Sequence, residues 1–118
     1  MIKYADLTLA QKAFICNGCG GKGGWVNPPE FIFHASCNHH DFNYWVGGTE
    51  EDRLRADKGF YNAMKVDIAS KPIQFRPYYH VWAYTYYKSV RLIGGKYFNY
   101  GRQKDENDLV QEILVYGT

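Results

Sequence analysis

Glycine and proline divide this 118-residue chain into short segments, and their positions constrain its fold more than any other feature. Gly47-Gly48 and Gly94-Gly95 each follow an apolar segment, while Pro72 and Pro77 interrupt the chain between them. Both residue types commonly end helices. The intervening segments predict helices at about residues 8–15, 27–46 and 78–93, a further helix beginning at residue 49, and a C-terminal helix or strand at 108–116. The chain is therefore predicted to be all-α, and its length supports one domain, residues 1–118.

Capping residues predict where three of these helices begin. Thr8 is suited to the N-cap of the first helix. Asn27 precedes Pro28, which fits the first helical position, and Glu30 completes a pattern similar to a capping box. Thr49 is followed by three acidic residues, whose charges favour the positive end of a helix. The second helix is thus expected to begin near residue 28 and the third near residue 50.

Two of the predicted helices place ionisable side chains within an apolar stripe. One face of the second helix comprises Phe33, Cys37, His40, Asp41 and Tyr44. One face of the third comprises Asp57, Phe60, Tyr61, Met64 and Ile68. The stripe of the fourth helix comprises Trp82, Tyr86, Ser89 and Ile93. Because a buried charge is costly without a partner, buried His and Asp residues usually pair with each other or with a metal ion.

His40 and Asp57 are the ionisable residues that we expect to meet. Antiparallel packing of the second and third helices, joined by the short Gly47-Gly48 turn, would bring Asp57 to a ring nitrogen of His40. A histidine oriented by a carboxylate is the usual construction of a general base, because the carboxylate fixes the tautomer and stabilises the imidazolium. Asp67 is an alternative partner, but it lies nearly three turns further along the same helix, so Asp57 is preferred.

The next residue, Asp41, projects about 100° round the helix from His40 and is a candidate cation ligand. Calcium takes six to eight oxygen ligands, so one carboxylate is not sufficient. Residues 18–24 contain five glycines in seven positions, and such a segment can present backbone carbonyls where side chains would clash. The sequence therefore predicts a glycine-rich calcium loop that precedes the helix of His40.

The combination of these residues resembles the calcium-dependent phospholipase A2 enzymes of the secreted type. Cys37-Asn38-His39-His40-Asp41 is similar to the C-x-x-H-D motif of that family, and Tyr44 to a tyrosine of its hydrogen-bond network. Upstream, Gly21-Lys22-Gly23-Gly24 resembles its G-x-G-G calcium loop. Residues 37–44 and 55–60 are most similar to the prokaryotic and fungal branch, in which the second segment holds the catalytic aspartate. The resemblance covers residues 17–64.

This resemblance implies hydrolysis of the sn-2 ester of glycerophospholipids to a lysophospholipid and a free fatty acid. His40 would deprotonate the attacking water, and Asp57, with Tyr44, would orient His40. The resemblance also implies that Ca²⁺ is bound by Asp41 and by three loop carbonyls, those of Cys19, Gly21 and Gly23 by motif, or of Gly20, Lys22 and Gly24 by counting back from the histidine. It further implies a phospholipid substrate at a membrane surface or micelle and a secreted or extracellular location.

The chain departs from the family pattern in its loop and its cysteines. The G-x-G-G loop lies one residue closer to the histidine than in the common animal enzymes, and the loop aspartate of the prokaryotic branch is absent, since no Asp lies between Asp6 and Asp41. The paired cysteines that surround Cys37 in the animal enzymes are also missing. A Cys19–Cys37 disulfide would tie the loop to the helix and leave Cys16 free. The alternative function is a non-catalytic phospholipase-like protein that binds lipid or membranes, although the retained histidine and calcium aspartate favour the enzyme.

Composition argues against several other classes of protein. The formal charge of +2, with no run of Lys or Arg, argues against nucleic-acid binding. No apolar stretch is long enough to span a membrane, and no signal peptide is visible at the N-terminus. A zinc site is a lesser alternative, for which the candidate ligands are Cys37 with His40 or Asp41, and the nearby Cys16, Cys19 and His34. It is less favoured because Cys16-x-x-Cys19 has no matching downstream Cys or His pair at zinc-finger spacing. The outer side of the aromatic fourth helix, with Trp25 and Trp45, is a candidate lipid contact.

Overall fold

Five α-helices make up most of the described chain. A computed structural model describes residues 2–16 and 32–116. The helices are α1 (Leu9–Ile15), α2 (His34–Val46), α3 (Glu50–Ala69), α4 (Arg76–Ile93) and α5 (Glu106–Tyr116). Within those two ranges there is no β-strand, and one isolated bridge joins Gly48 to Tyr100. The prediction of an all-α fold is confirmed, and the C-terminal segment is a helix rather than a strand.

The two threonine caps are present as expected. Thr8 accepts a hydrogen bond from the backbone N–H of Gln11, whose side chain accepts one from the backbone of Thr8. Thr49 and Asp52 form the same reciprocal arrangement at the start of α3. Each capping box satisfies two backbone donors that a helix N-terminus otherwise leaves unpaired. These helices begin where they do because of local chemistry that can be read from four consecutive residues.

The start of α2 differs from the prediction. The helix begins at His34 rather than near residue 28, because the backbone of Phe33 is not helical (φ −109°, ψ 6°). The Phe33 side chain is fully buried and packs edge-to-face on Tyr86 of α4, with 5.8 Å between ring centroids. Tertiary packing of this ring therefore sets the boundary of the helix. Residues 17–31, which hold the predicted cap at Asn27 and the glycine-rich loop, lie outside the described residues.

The start and the buried stripe of α4 also differ from the prediction. Pro77 does not interrupt the chain but lies in the first turn of α4. Backbone N–H groups in the first turn have no partner within the helix, so proline, which lacks an N–H, loses no hydrogen bond there. The most buried residues of α4 are Ala83, Tyr86 and Val90, whereas Trp82 and Ser89 are half-buried. The buried stripe of α4 is thus rotated by about one residue relative to the predicted stripe. Burial depends on which face of α4 meets Phe33 and α3, and not on the size of each side chain.

Helices α2 and α3 are antiparallel, and side-chain contacts define their register. Tyr44 meets Arg53, His40 meets Asp57, and Ser36 near the start of α2 meets Asp67 near the end of α3. The connection between them needs glycine, since Gly47 and Gly48 have φ of 80° and 132°. Helix α4 returns along α3, so that residues 53–61 of α3 lie beside residues 84–91 of α4.

Two apolar clusters lie on either side of α2. The larger cluster joins α2, α3 and α4 and comprises Phe33, Cys37, Phe60, Met64, Ile68, Ala83, Tyr86 and Val90. The smaller cluster joins α2 to the N-terminal segment and α5 and comprises Ile2, Ile15, Phe42, Val46 and Leu109. Helix α2 is therefore covered from both sides, which explains why its polar residues need partners. Among the helices of residues 2–16 and 32–116, none is long and apolar enough to cross a membrane.

Candidate active site

A buried histidine–aspartate pair lies between α2 and α3. The Nε2 atom of His40 is 2.8 Å from Oδ1 of Asp57, and the two side chains are 7% and 0% exposed. An ionised carboxylate only accepts hydrogen bonds, so this contact assigns the ring proton to Nε2 and leaves a lone pair on Nδ1. The contact that the helical spacing predicted between these two residues is present in the structure.

Both oxygens of the Asp57 carboxylate are occupied by donors. Tyr44 donates its hydroxyl proton to Oδ1 at 2.6 Å, and Arg91 of α4 donates from Nη1 to Oδ2 at 2.6 Å. Burial by itself would raise the pKa of Asp57, but the hydrogen bonds from His40, Tyr44 and Arg91 outweigh it, so the pKa is lowered. Asp57 is therefore an anion at neutral pH although no solvent reaches it.

A second guanidinium and a surface carboxylate surround this pair. Arg53, which is buried, lies 3.5 Å from Asp57 and donates to the carbonyl of Val90 at 3.0 Å. It also pairs with both carboxylate oxygens of Glu50, at 2.8 and 2.9 Å. Glu50 accepts a further hydrogen bond from the hydroxyl of Tyr100 at 2.6 Å. The hydrogen bond from Arg53, followed by that from Tyr100, lowers the pKa of Glu50 to about 2.

Sequence reasoning missed the two arginines, for different reasons. Arg53 lies one helical turn before Asp57 in the apolar stripe of α3, and a cation in that position was a signal of a buried ion pair. Arg91 is 34 residues away from Asp57 and belongs to another helix, so no local pattern connects them. The charges of the cluster balance, because Arg91 and Arg53 face Asp57 and Glu50.

Aromatic rings pack around the pair. Phe60 stacks on the imidazole of His40, with centroids 4.5 Å apart and planes 25° apart, and the ring of Tyr44 lies 4.2 Å away. Phe98 packs edge-to-face on Tyr44. Burial, together with the hydrogen bond to Asp57, raises the pKa of Tyr44, so its hydroxyl stays protonated and acts as a donor. Gly94 lies against this hydroxyl, leaving no room there for a Cβ atom.

The predicted calcium ligands fall into two groups. Asp41 lies on α2, half-buried, and its charge contributes to raising the pKa of the Cys16 thiol, after the larger effect of burial, to about 11. Its carboxylate is a hard oxygen donor of the kind that calcium prefers. The loop carbonyls of Cys19, Gly21 and Gly23, and the alternative set from residues 20, 22 and 24, lie outside the described residues. No group of three His, Cys, Asp or Glu side chains able to hold a metal ion occurs among the residues that are described.

The remaining candidates have other partners. Asp67, the alternative to Asp57, accepts a hydrogen bond from Ser36 at 2.6 Å. His34, part of the zinc alternative, contacts Asn38 at 3.1 Å. Trp45 donates from its indole to Glu112 of α5 at 3.0 Å, so it packs against that helix. Cys37 is disulfide-bonded, while Cys16 carries a free thiol.

A comparison of the chain with models of protein families, with curated proteins and with solved structures gave no match. The function must therefore be argued from the site itself. Its geometry combines an imidazole, a buried carboxylate that orients it, and arginine and glutamate side chains around them whose charges balance. Such a site is suited to removing a proton from water or from a hydroxyl group.

Proposed function

We propose that this protein is a calcium-dependent hydrolase of the phospholipase A2 type, which cleaves the sn-2 ester of glycerophospholipids at a membrane surface or micelle. The observation that carries the proposal is the 2.8 Å contact between His40 and the fully buried Asp57. It agrees with the C-x-x-H-D pattern that surrounds His40. The same resemblance favours a secreted or extracellular location.

In this proposal His40 is the general base. Its Nδ1 atom takes a proton from a water molecule as that water attacks the ester carbonyl, and the positive charge that develops on the ring is stabilised by Asp57. Within the described residues, the hydrogen bond from Nε2 to Asp57 is the one that the ring makes, so Nδ1 is left for the water. The proton then passes from Nδ1 to the leaving alkoxide of the lysophospholipid. No serine or cysteine nucleophile is needed.

Tyr44 and Arg91 act as positioning residues through Asp57. Each holds one carboxylate oxygen at 2.6 Å, so the carboxylate cannot rotate away from the imidazole. A charge-assisted hydrogen bond of this length is stronger than one between neutral groups, and it costs little reorganisation during the reaction. The orientation of His40 is therefore set before substrate binds.

Asp41 and the carbonyl groups of Cys19, Gly21 and Gly23 would hold the metal ion. When bound, calcium would supply a Lewis acid for the substrate phosphate and for the negative charge that develops on the carbonyl oxygen. Asp41 is adjacent to His40 in sequence, so a metal ion bound to its carboxylate would lie beside the face of α2 that carries His40. The donor chemistry of Asp41 fits a hard cation, as the half-buried carboxylate supplies oxygen and no sulfur.

The test is release of fatty acid from the sn-2 position of mixed phospholipid vesicles, measured with calcium and then with excess EGTA. We expect release that requires calcium. His40→Gln is expected to lower the rate by about 10³-fold, since general-base catalysis contributes on the order of 10²–10⁴. Asp41→Asn is expected to lose both activity and calcium binding.

Asp67→Asn is the matched control for Asp57→Asn, because both are aspartates of α3 that accept a hydrogen bond from α2. We expect Asp57→Asn to lower the rate by about 10²–10⁴-fold and Asp67→Asn to leave it within about threefold of the original. Vesicle binding without release would favour the non-catalytic, lipid-binding alternative. Full activity of His40→Gln would contradict the mechanism.

A further inference from the structure

The outer face of α4 is apolar and exposed, and it lies outside the candidate active site. Tyr78, Val81, Tyr84 and Leu92 recur near helical spacing on the side of α4 opposite to its buried stripe, and each is more than half exposed. Large side chains exposed together along one helix are unusual for a protein that acts alone in water. We call these four residues, with Lys88 between them, the α4 outer face.

The charge of the surrounding chain is entirely positive. Residues 68–104 contain no Asp or Glu. The Lys and Arg residues of this segment are Lys71, Arg76, Lys88, Arg91, Lys96, Arg102 and Lys104. Three of them form ion pairs with acidic residues of other elements, namely Arg91 with Asp57, Arg102 with Asp108 and Lys104 with Glu112.

The other four cations form no ion pair within the part of the chain that the structure describes. Lys71 and Arg76 lie just before or at the start of α4, Lys88 lies on its outer face, and Lys96 follows its end. The ammonium group of Lys88 is 6.0 Å from the ring of Tyr84. Lys88 therefore lies on the exposed aromatic and aliphatic face itself, and Lys71 and Lys96 lie beyond its two ends, while the guanidinium of Arg76 donates to the backbone carbonyls of Lys71 and Ala69.

This combination fits one kind of occupant. Tyrosine rings and aliphatic side chains partition into the boundary between headgroups and acyl chains, while nearby lysines and arginines attract anionic headgroups. A second copy of the same face would bring cations against cations, which opposes self-association. Nucleic acid would leave Val81 and Leu92 without an apolar environment. We infer that the α4 outer face docks onto the surface of an anionic phospholipid bilayer.

The inference rests on the proposed function and deepens it by naming the lipid class and the surface that meets it. The experiment is sedimentation of the protein with vesicles of phosphatidylglycerol or of phosphatidylcholine, in EDTA so that no hydrolysis occurs. Hydrolysis of a short-chain phospholipid below its micellar concentration is measured in parallel with calcium. This second assay measures hydrolysis at the His40 site without a bilayer. It therefore distinguishes an error in the proposed active site from an error in the proposed membrane-binding surface.

Val81→Asp is the test variant and Val66→Asp is its matched control. Both valines are highly exposed, at 67% and 71%, and both substitutions add one negative charge. Val66 lies on α3, where the residues three and four positions away are Asn62, Ala63, Ala69 and Ser70, so no large aromatic or aliphatic side chain lies beside it along the helix. We expect Val81→Asp to weaken binding to phosphatidylglycerol vesicles at least about tenfold and Val66→Asp to change it less than about threefold.

Further outcomes separate the inference from its alternatives. Lys88→Glu tests the same face without changing an apolar residue, and it should weaken binding at least about tenfold. Its control, Lys58→Glu on α3, should have little effect. Binding should also weaken as salt concentration rises. Equal losses in Val81→Asp and Val66→Asp, or equal binding to both lipids, would overturn the inference. So would concentration-dependent self-association that Val81→Asp abolishes, because the occupant would then be a second copy.

Discussion

Replacing Gly94 with alanine should disturb the candidate active site through a single contact. A Cβ atom at position 94 would lie 2.6 Å from the hydroxyl oxygen of Tyr44 and 3.2–3.3 Å from its ring carbons. Carbon and oxygen need nearly 3.4 Å, so the hydroxyl must move by about 0.8 Å. A shift of that size would lengthen its 2.6 Å hydrogen bond to the buried carboxylate of Asp57 to as much as about 3.4 Å, which weakens it strongly. Overpacking and the weakened hydrogen bond together are expected to cost about 2–3 kcal/mol.

Gly95→Ala is the control for this prediction. Its Cβ atom would meet Tyr100 at 3.4 Å and Arg53 at 3.9 Å, which are ordinary contacts. Both glycines lie in the same short 3-10 turn, Gly94–Lys96, so the two substitutions change the entropy of the unfolded chain equally. The difference between their free energies of unfolding, measured in urea, therefore isolates the contact with Tyr44. We expect that difference to be about 2 kcal/mol.

A double-mutant cycle with Tyr44→Phe tests the cause. Without the hydroxyl, the closest contact of the new Cβ atom is with ring carbons at 3.2–3.3 Å, which need to yield only slightly. Gly94→Ala should then cost less than in the original protein by about 1 kcal/mol or more. Gly94→Ala should also lower the rate of ester hydrolysis, while Gly95→Ala should not. Equal costs for the two glycine substitutions, or strict additivity in the cycle, would refute the reasoning.

Arg91→Ala should destabilise the protein by about 3 kcal/mol in urea unfolding, because it leaves the fully buried Asp57 carboxylate without its closest cation, and Arg91→Lys should restore part of that loss. The pKa of Asp57 is lowered in the fold, so its stabilising contribution is complete above the unfolded pKa of about 3.9 and is lost as the pH falls through the lower folded pKa. Urea unfolding at a series of acidic pH values should therefore show a smaller pH dependence for Asp57→Asn than for the original protein. Burial raises the pKa of the Cys16 thiol to about 11, so its alkylation by iodoacetamide at pH 8, followed by mass spectrometry, should be about 10²-fold slower in the folded protein than in urea. Equal rates in the two states would contradict this environment for Cys16.

Much of the helical framework follows from local sequence. The capping boxes at Thr8 and Thr49 involve residues three positions apart, and the Gly47-Gly48 turn supplies two positive φ values next to each other. His40 and Asp57 lie in apolar stripes that must face inward, and a short turn between their helices makes those helices antiparallel neighbours. The contact between the two residues could therefore be predicted from helical spacing alone.

The two helix starts that were predicted wrongly have different causes. Helix α2 begins at His34 because Phe33 leaves the helical conformation to pack on Tyr86, more than 50 residues away in sequence. Helix α4 begins at Arg76, ahead of the predicted start, because Pro77 fits its first turn. A proline pattern alone does not distinguish a break from a helix start.

Local sequence is enough to predict an all-α chain, the caps at Thr8 and Thr49 and the pairing of His40 with Asp57, because each depends on residues that are close in sequence or on consecutive helices. The pairing of Arg91 with the buried carboxylate, by contrast, depends on how the helices pack. Arg91 reaches Asp57 only because Ala83, Tyr86 and Val90 set the rotation of α4 against its neighbours. That rotation is a property of side-chain packing between helices distant in sequence, and no periodicity within either helix encodes it.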